Sequence, residues 1–390
     1  MTNDPQLRVM HIIDSVNPAQ GGPVQALLQT LENLGNLQHI ETICLDAPDS
    51  TWLKDFPGIV HPMGRVFKKY GYTPRLIPWI KENAKRFDVA VIHGLWNHAS
   101  VGGGFACHKA KLPYVVFAHG MMGPWFKKTQ PLKHFLKQLF WLFQGRVLHH
   151  AQEVLFTCEE EKRLAADSFW GYTYNPKVVA FGAVDGNQLI LNGNYNQIYD
   201  LLPELNNKPY LLYLSRIHEI KGCDLLLEAF AKSVKRSELH LIIAGPGEAN
   251  LVAELKCMSE RLGIADKVHW PGMLKNELKL SAFIQAEAFV LFSHHENFGI
   301  AVAEALSFGK PVLISDQVNI WREITDGKAG ISGKNTIKGA TEVIEKWAFL
   351  TGNDKQQMGL NARNVYEANF RAEVAAQHLA CALIKKKKKK

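Results

Sequence analysis

Residues 288–315 read Ala288-Phe289-Val290-Leu291-Phe292-Ser293-His294-His295-Glu296-Asn297-Phe298-Gly299-Ile300-Ala301-Val302-Ala303-Glu304-Ala305-Leu306-Ser307-Phe308-Gly309-Lys310-Pro311-Val312-Leu313-Ile314-Ser315. The first five residues are a short apolar run of strand type. Gly309 and then Pro311 are helix stop signals, and Val312 to Ser315 reads as the next buried strand. The stretch is therefore a βαβ unit, with its helix starting near Phe298 to Ile300.

Outward from this unit the same alternation of strand and helix patterns continues in both directions. Strands are expected at 8–13, 40–45, 89–93, 114–118 and 153–157, then at 210–214, 239–244, 267–270, 288–292 and 312–315. Such alternation indicates parallel sheets in an α/β protein. At 390 residues the chain is too long for one ordinary core and suits two domains. The expected fold is two doubly wound Rossmann-like domains facing across a cleft. The first covers 1–186, a polar Asn-rich linker 187–207, and the second 208–366. A helix over 367–384 crosses back toward the first domain, and a Lys tail occupies 385–390. Doubly wound domains bind ligands at the carboxyl ends of their strands, so motifs that follow strands should converge on the cleft.

Glu296 sits at the mouth of the helix and Glu304 on it, about 7 Å apart at the helical rise. The backbone N–H groups of the first turn, around Asn297, Phe298, Gly299 and Ile300, point toward anything anionic. A carboxylate can accept from both hydroxyls of a diol. One acid for a sugar, amides for a diphosphate and a second acid for a ribose would suit a nucleotide sugar. The alternative for Glu304 is a solvated helix position. Its neighbours Val302, Ala303, Ala305 and Leu306 are small or apolar, so an ionised Glu there needs partners.

Glu296 to Glu304, followed by Ala305 to Val312, resembles the E-x7-E signature of retaining GT-B glycosyltransferases of the group 1 type, family 4. The resemblance runs from the Gly21-Gly22 loop to the C-terminal helix and is strongest over 210–330. It implies that Arg216 and Lys221, which alone could be ordinary surface charge, hold the leaving diphosphate. It also implies that His119, after the strand at 114–118, reaches the transferred sugar. Gly21 and Gly22 would lie against the diphosphate or the acceptor, Gly245 near the ribose, and the backbone of Met273 and Leu274 against the base. The resemblance further implies retention of anomeric configuration. No carboxylate nucleophile of the glycosidase kind is evident, which favours front-face transfer.

Composition narrows the rest. The formal charge of +8 includes six lysines at 385–390, leaving +2 (8 − 6) for the body, which argues against a nucleic-acid surface. Six scattered cysteines without a C-x-x-C pair fit free thiols. No histidine lies at metal-ligand spacing and no Asp-x-Asp is present, so neither a metal nor another cofactor is expected. With no signal peptide or spanning run visible, a cytoplasmic location is expected.

Residues 121–150 carry Lys127, Lys128, Lys133, Lys137 and Arg146 and no acid. Leu132, Phe135, Leu136, Leu139, Phe140 and Phe143 form one helical stripe, with Trp125 and Trp141 nearby. The stripe either faces the core or rests on an anionic membrane at the inner face of the cell, aided there by the Lys tail. The tail reads equally as an appended tag.

The expected activity is transfer of a hexose from a nucleoside-diphosphate sugar to a saccharide or lipid-linked saccharide hydroxyl in surface-glycan or exopolysaccharide synthesis. The alternatives are a nucleotide-sugar epimerase or phosphorylase of the same shape, or a non-catalytic membrane- or glycan-binding module.

Overall fold

The computed structural model describes all residues except 1–5, 68, 125–126, 128, 191–194, 206–207, 234–237 and 385–390. Trp125, Lys128 and the Lys tail, invoked above for membrane contact, lie outside the described residues.

Val, Ile and Leu dominate the central strands because both faces of a parallel sheet are covered by helices. The first sheet contains β1 (Leu7–Ile13), β2 (Gln38–Cys44), β3 (Ile59–Pro62), β4 (Val89–His93), β5 (Tyr114–Phe117), β6 (Glu153–Phe156) and β7 (Pro176–Val178). Its order is β3-β2-β1-β4-β5-β6-β7, and every ladder is parallel. The second contains β8 (Tyr210–Leu214), β9 (His240–Ala244), β10 (Val268–Gly272), β11 (Ala288–Leu291), β12 (Val312–Ser315) and β13 (Gly330–Gly333). Its order is β10-β9-β8-β11-β12-β13, again parallel throughout. Each is the doubly wound order, with its crossover reversing between the first and fourth strands.

The three strands not anticipated from sequence, β3, β7 and β13, are all sheet edges. Edge strands are covered less, and Ile59 in β3 is 48% exposed. Without two buried faces they carry no continuous apolar run for a pattern to detect.

The chain divides into two compact units, Met1–Phe181 with Ala372–Lys390, and Gly182–Arg371. The stretch 187–207 is thus not a linker between them. Its described residues include the Gln197–Leu201 helix and the Pro203–Leu205 turn, and the Ile198 amide donates to Ser281 Oγ inside the second unit. The helix expected over 367–384 is two helices, Gly352–Asn369 and Ala372–Ile384, separated at Phe370 and Arg371. The second of these packs on Gly22–Leu34 of the first unit.

Candidate active site

The second unit holds most of the residues singled out from sequence, at the carboxyl edge where β8 and β11 adjoin. Gly222 follows β8 with φ +65°, and a Cβ there would stand 2.2 Å from the Phe292 carbonyl oxygen. Only glycine permits that approach. It lets the loop after β8 lie against the loop after β11. There the Ser293 hydroxyl and the His294 amide both donate to the Ile220 carbonyl, each at 2.9 Å. On its other side the Glu296 amide donates to Gln317 O, and Asn319 N donates to Glu296 O.

Pinned from both sides, the Glu296 carboxylate forms an ion pair with Lys221 Nζ; the two side chains are only 16% and 13% exposed. Two of the four sequence-predicted catalytic residues are therefore in direct contact. Burial pushes the neighbouring His295 imidazole below its usual range, against the opposing pull of Glu296.

The Ile300–Ser307 helix opens just beyond. Gly299 caps it in the left-handed region, φ +77°, and the first helical bond runs from Val302 N to Gly299 O at 2.8 Å. The amides ahead of that bond have no acceptor within the helix. Phe298 is buried, edge-on to Phe370 at 5.5 Å, which fixes the entry to the helix. Glu304 is half-buried on the same helix and pairs with Lys279 at 2.7 Å. That partner answers the cost of an acid on an apolar helix, and Lys279 was not anticipated because nothing local in sequence marks it.

Arg216 projects exposed from the end of β8. Gly245, after β9, packs directly beneath it: a Cβ there would meet Ser215 O at 1.8 Å. Gly245 N donates to Gly272 O, joining the ends of β9 and β10. Beyond Gly272, Met273 is 59% exposed while Leu274 is buried.

In the first unit His119 belongs to a ladder of three rings carried by adjacent strands. His11 Nδ1 lies 2.8 Å from His93 Nε2, and His93 Nδ1 lies 3.0 Å from His119 Nε2. The rings stack with centroids 5.1 and 5.3 Å apart. His119 is held at φ +49°, an unusual conformation for a residue with a side chain. A neutral imidazole has one N–H, so His93 must donate at one nitrogen and accept at the other. The three tautomers are consequently set together. Burial pushes all three rings down, His93 to about 4.

Unfolded histidines protonate near pH 6.5, so between about pH 6.5 and 4 the unfolded chain binds more protons and stability falls as pH drops. Each such ring removes up to about 1.4 kcal/mol per pH unit in that window. Denaturant midpoints at pH 7, 6 and 5 should decline accordingly, and His11→Phe should flatten the decline. An unaltered slope in that variant would exclude the ladder as its source.

Two buried acids fix the loops of this edge. Asp46 accepts from Ser15 Oγ at 2.6 Å and Val16 N at 2.8 Å, holding the chain ahead of Gly21, which has φ +78°. Gly21 and Gly22 open the Gly22–Leu34 helix with nothing within 4 Å of where their Cβ atoms would be. Glu161 accepts from Gly120 N, Thr157 N and Thr157 Oγ, clamping the residue beside His119. Neither acid has a sequence signal of its own.

The Pro131–His150 helix buries Trp141, Gln144, Gly145, Val147 and Leu148. Its apolar stripe does not face the core: Leu132, Phe135, Leu136, Leu139 and Phe143 are 51–74% exposed. Among the described residues no helix is long and apolar enough to cross a membrane, and no group of three or more His, Cys, Asp or Glu could hold a metal ion.

Residues 201–365 match the family described as "Glycosyl transferases group 1", and residues 21–180 match the "Glycosyl transferase 4-like domain". Mannosylfructose-phosphate synthase of Agrobacterium fabrum is 25% identical over 338 residues, covering 79% of this chain and 74% of that protein. D-inositol 3-phosphate glycosyltransferase of Gordonia bronchialis is 30% identical over 171 residues, 40% of this chain and only 36% of that protein. Among solved structures, Anabaena Alr3699/HepE in complex with UDP and glucose superimposes with a TM-score of 0.78 at 17% identity, over 97% of this chain and 100% of that one. The fold is thus shared with that protein.

Proposed function

The chain belongs to the group 1 glycosyltransferases, and from that premise we propose that it transfers a hexose, with retention, from a nucleoside-diphosphate sugar to a saccharide or lipid-linked saccharide hydroxyl. The observation that carries this is the Lys221–Glu296 pair beside the open helix mouth at Gly299.

In that reading the diphosphate lies on the amides ahead of Val302, and Lys221 turns from Glu296 to a phosphate oxygen while Arg216 offers its planar fork. Glu296, released, accepts from the sugar hydroxyls, and Glu304 accepts from the ribose. His119 orients the transferred sugar through the nitrogen the ladder leaves uncommitted. The acceptor proton goes to the departing phosphate oxygen as the glycosidic bond to it breaks and the new bond forms on the same face. Charge accumulating on that oxygen is what the cations and the helix amides stabilise. The two cations supply what a metal would supply elsewhere, and the residue set supports a metal-independent reaction.

Exposure of the 131–150 stripe, with Lys127, Lys133, Lys137 and Arg146 on the same segment, favours contact with an anionic membrane surface. Such contact supports an acceptor among the lipid-linked saccharides of surface-glycan synthesis, met on the cytoplasmic face.

UDP-glucose is the first donor to test, since the Anabaena protein is seen with UDP and with glucose. A ligand at a hundred times its Kd stabilises the native state by about 2.7 kcal/mol. One of UDP, GDP, ADP or CDP should therefore raise the unfolding midpoint clearly, and its sugar should be turned over when acceptor is added. No response to any of the four would defeat the proposal. Glu304→Ala should weaken nucleotide binding by about ten- to a hundredfold, the worth of hydrogen bonds to a charged acceptor. Wild-type affinity in that variant would remove Glu304 from the donor site.

A further inference from the structure

A groove of about 490 Å³ runs through the first unit between the His98–Lys109 and Pro131–His150 helices, apart from the strand-end site. Its volume is that of pockets that enclose small ligands. Tyr70, Ile77, Val101, Phe105, Phe143 and Val147 give it mainly apolar walls. The open side is unusual for a protein surface, because Phe105 is 46% and Phe143 62% exposed. Phe143 also belongs to the exposed stripe of its helix, so groove and stripe are continuous.

The two helices finish at one end of the groove, where His108, Lys109, Arg146 and His150 gather and His108 stacks on His150 at 4.1 Å. None of the four has a carboxylate partner among the described residues. Burial, then the charges of His108, His149 and Arg146, hold the His150 imidazole below its usual range. Cations on a last helical turn offset the helix dipole, which could account for Lys109 and His150 singly. Two helix ends contribute only about −0.5 charge each, however. Lys109 and Arg146 alone exceed that, so the end stays net positive before either imidazole takes up a proton.

We propose that this groove binds a single-chain anionic amphiphile, its hydrocarbon chain along the apolar walls and its phosphate or carboxylate head among Lys109, Arg146, His108 and His150. The chemistry is that of an acyl or prenyl chain carrying one anionic head. The proposal uses no donor-site residue and stands whether or not the transferase reading does.

Dodecyl phosphate, titrated below its micellar concentration into the full chain and followed by calorimetry, is the direct probe. One saturable site is expected, at least tenfold tighter than for dodecyl maltoside, which has the same chain and a neutral head. Inorganic phosphate should give no heat, because the walls and not the cations supply most of the contact. The double variant Lys109→Glu/Arg146→Glu alters two exposed side chains without a carboxylate partner. It should lose at least tenfold toward dodecyl phosphate and nothing toward dodecyl maltoside. Val101→Phe should weaken both amphiphiles by filling the groove, with the unfolding midpoint checking that the chain still folds. Equal affinity for the two amphiphiles, unchanged binding in the double variant, or no saturable site would overturn the assignment.

Discussion

Lys221→Ala is expected to lower kcat for sugar transfer by about 10²- to 10³-fold, or roughly 3–4 kcal/mol of transition-state stabilisation. The proposed diphosphate gathers charge as its bond to the sugar lengthens, and a cation aimed at that oxygen matters most at that moment. The effect should therefore fall on kcat more than on the donor KM. A second consequence comes from the resting enzyme. Glu296 is only 16% exposed and would lose its ion-pair partner, which costs about 1–3 kcal/mol for a largely buried group left unsatisfied. Lys221→Arg should recover part of the activity, since it keeps the charge but replaces a point donor with a fork. Steady-state kinetics with the donor identified by the nucleotide screen would measure both. Full turnover by the alanine variant would mean that Lys221 serves only as the structural partner of Glu296.

The largest expected effect on stability is at Arg363, far from Lys221 in sequence. Its guanidinium grips Asp185 through two parallel bonds, one at 2.8 Å to Oδ2 and one at 2.5 Å to Oδ1, and also donates to Ser307 O at 2.6 Å. The hydrogen bonds from Arg363 hold the Asp185 carboxyl below the usual carboxylate range. Both side chains are under a quarter exposed. The Arg363 contact with Ser307 ties the Gly352–Asn369 helix to the end of Ile300–Ser307, whose other end carries Gly299. Arg363→Met keeps most of the aliphatic length and removes the guanidinium bonded to Asp185, leaving only the more distant charge of Arg371, so a loss of about 3 kcal/mol is expected from denaturant unfolding. Arg363→Lys should lie between, for want of the second parallel bond. A loss under about 0.5 kcal/mol in the Met variant, the size of an ordinary surface change, would show that the bidentate pair contributes nothing net.

Residues 288–315 held enough to establish the fold class, because a helix stop of Gly and Pro between two apolar runs admits few arrangements besides a βαβ unit. Ten of the thirteen strands among the described residues were legible from such runs. The strands that were not, β3, β7 and β13, lie at sheet edges, where one neighbour is missing and the covering is thinner. The resemblance around Glu296 and Glu304 likewise reached the family from sequence alone.

What the sequence could not contain were relations between residues distant along the chain. Glu304 reads as an acid on an apolar helix, yet its partner Lys279 sits 25 positions earlier. His11, His93 and His119 look like three unrelated histidines until parallel pairing brings β1, β4 and β5 side by side. The exposed stripe of 131–150 is the opposite case: periodicity revealed an apolar face, and only the packing of Trp141 and Val147 inward decided that this face was not the buried one. Local pattern sets which backbone conformation each segment prefers, since that depends on neighbours a few residues away. Charge pairing, tautomer and burial depend on which segments meet, and that is settled only when the sheets close.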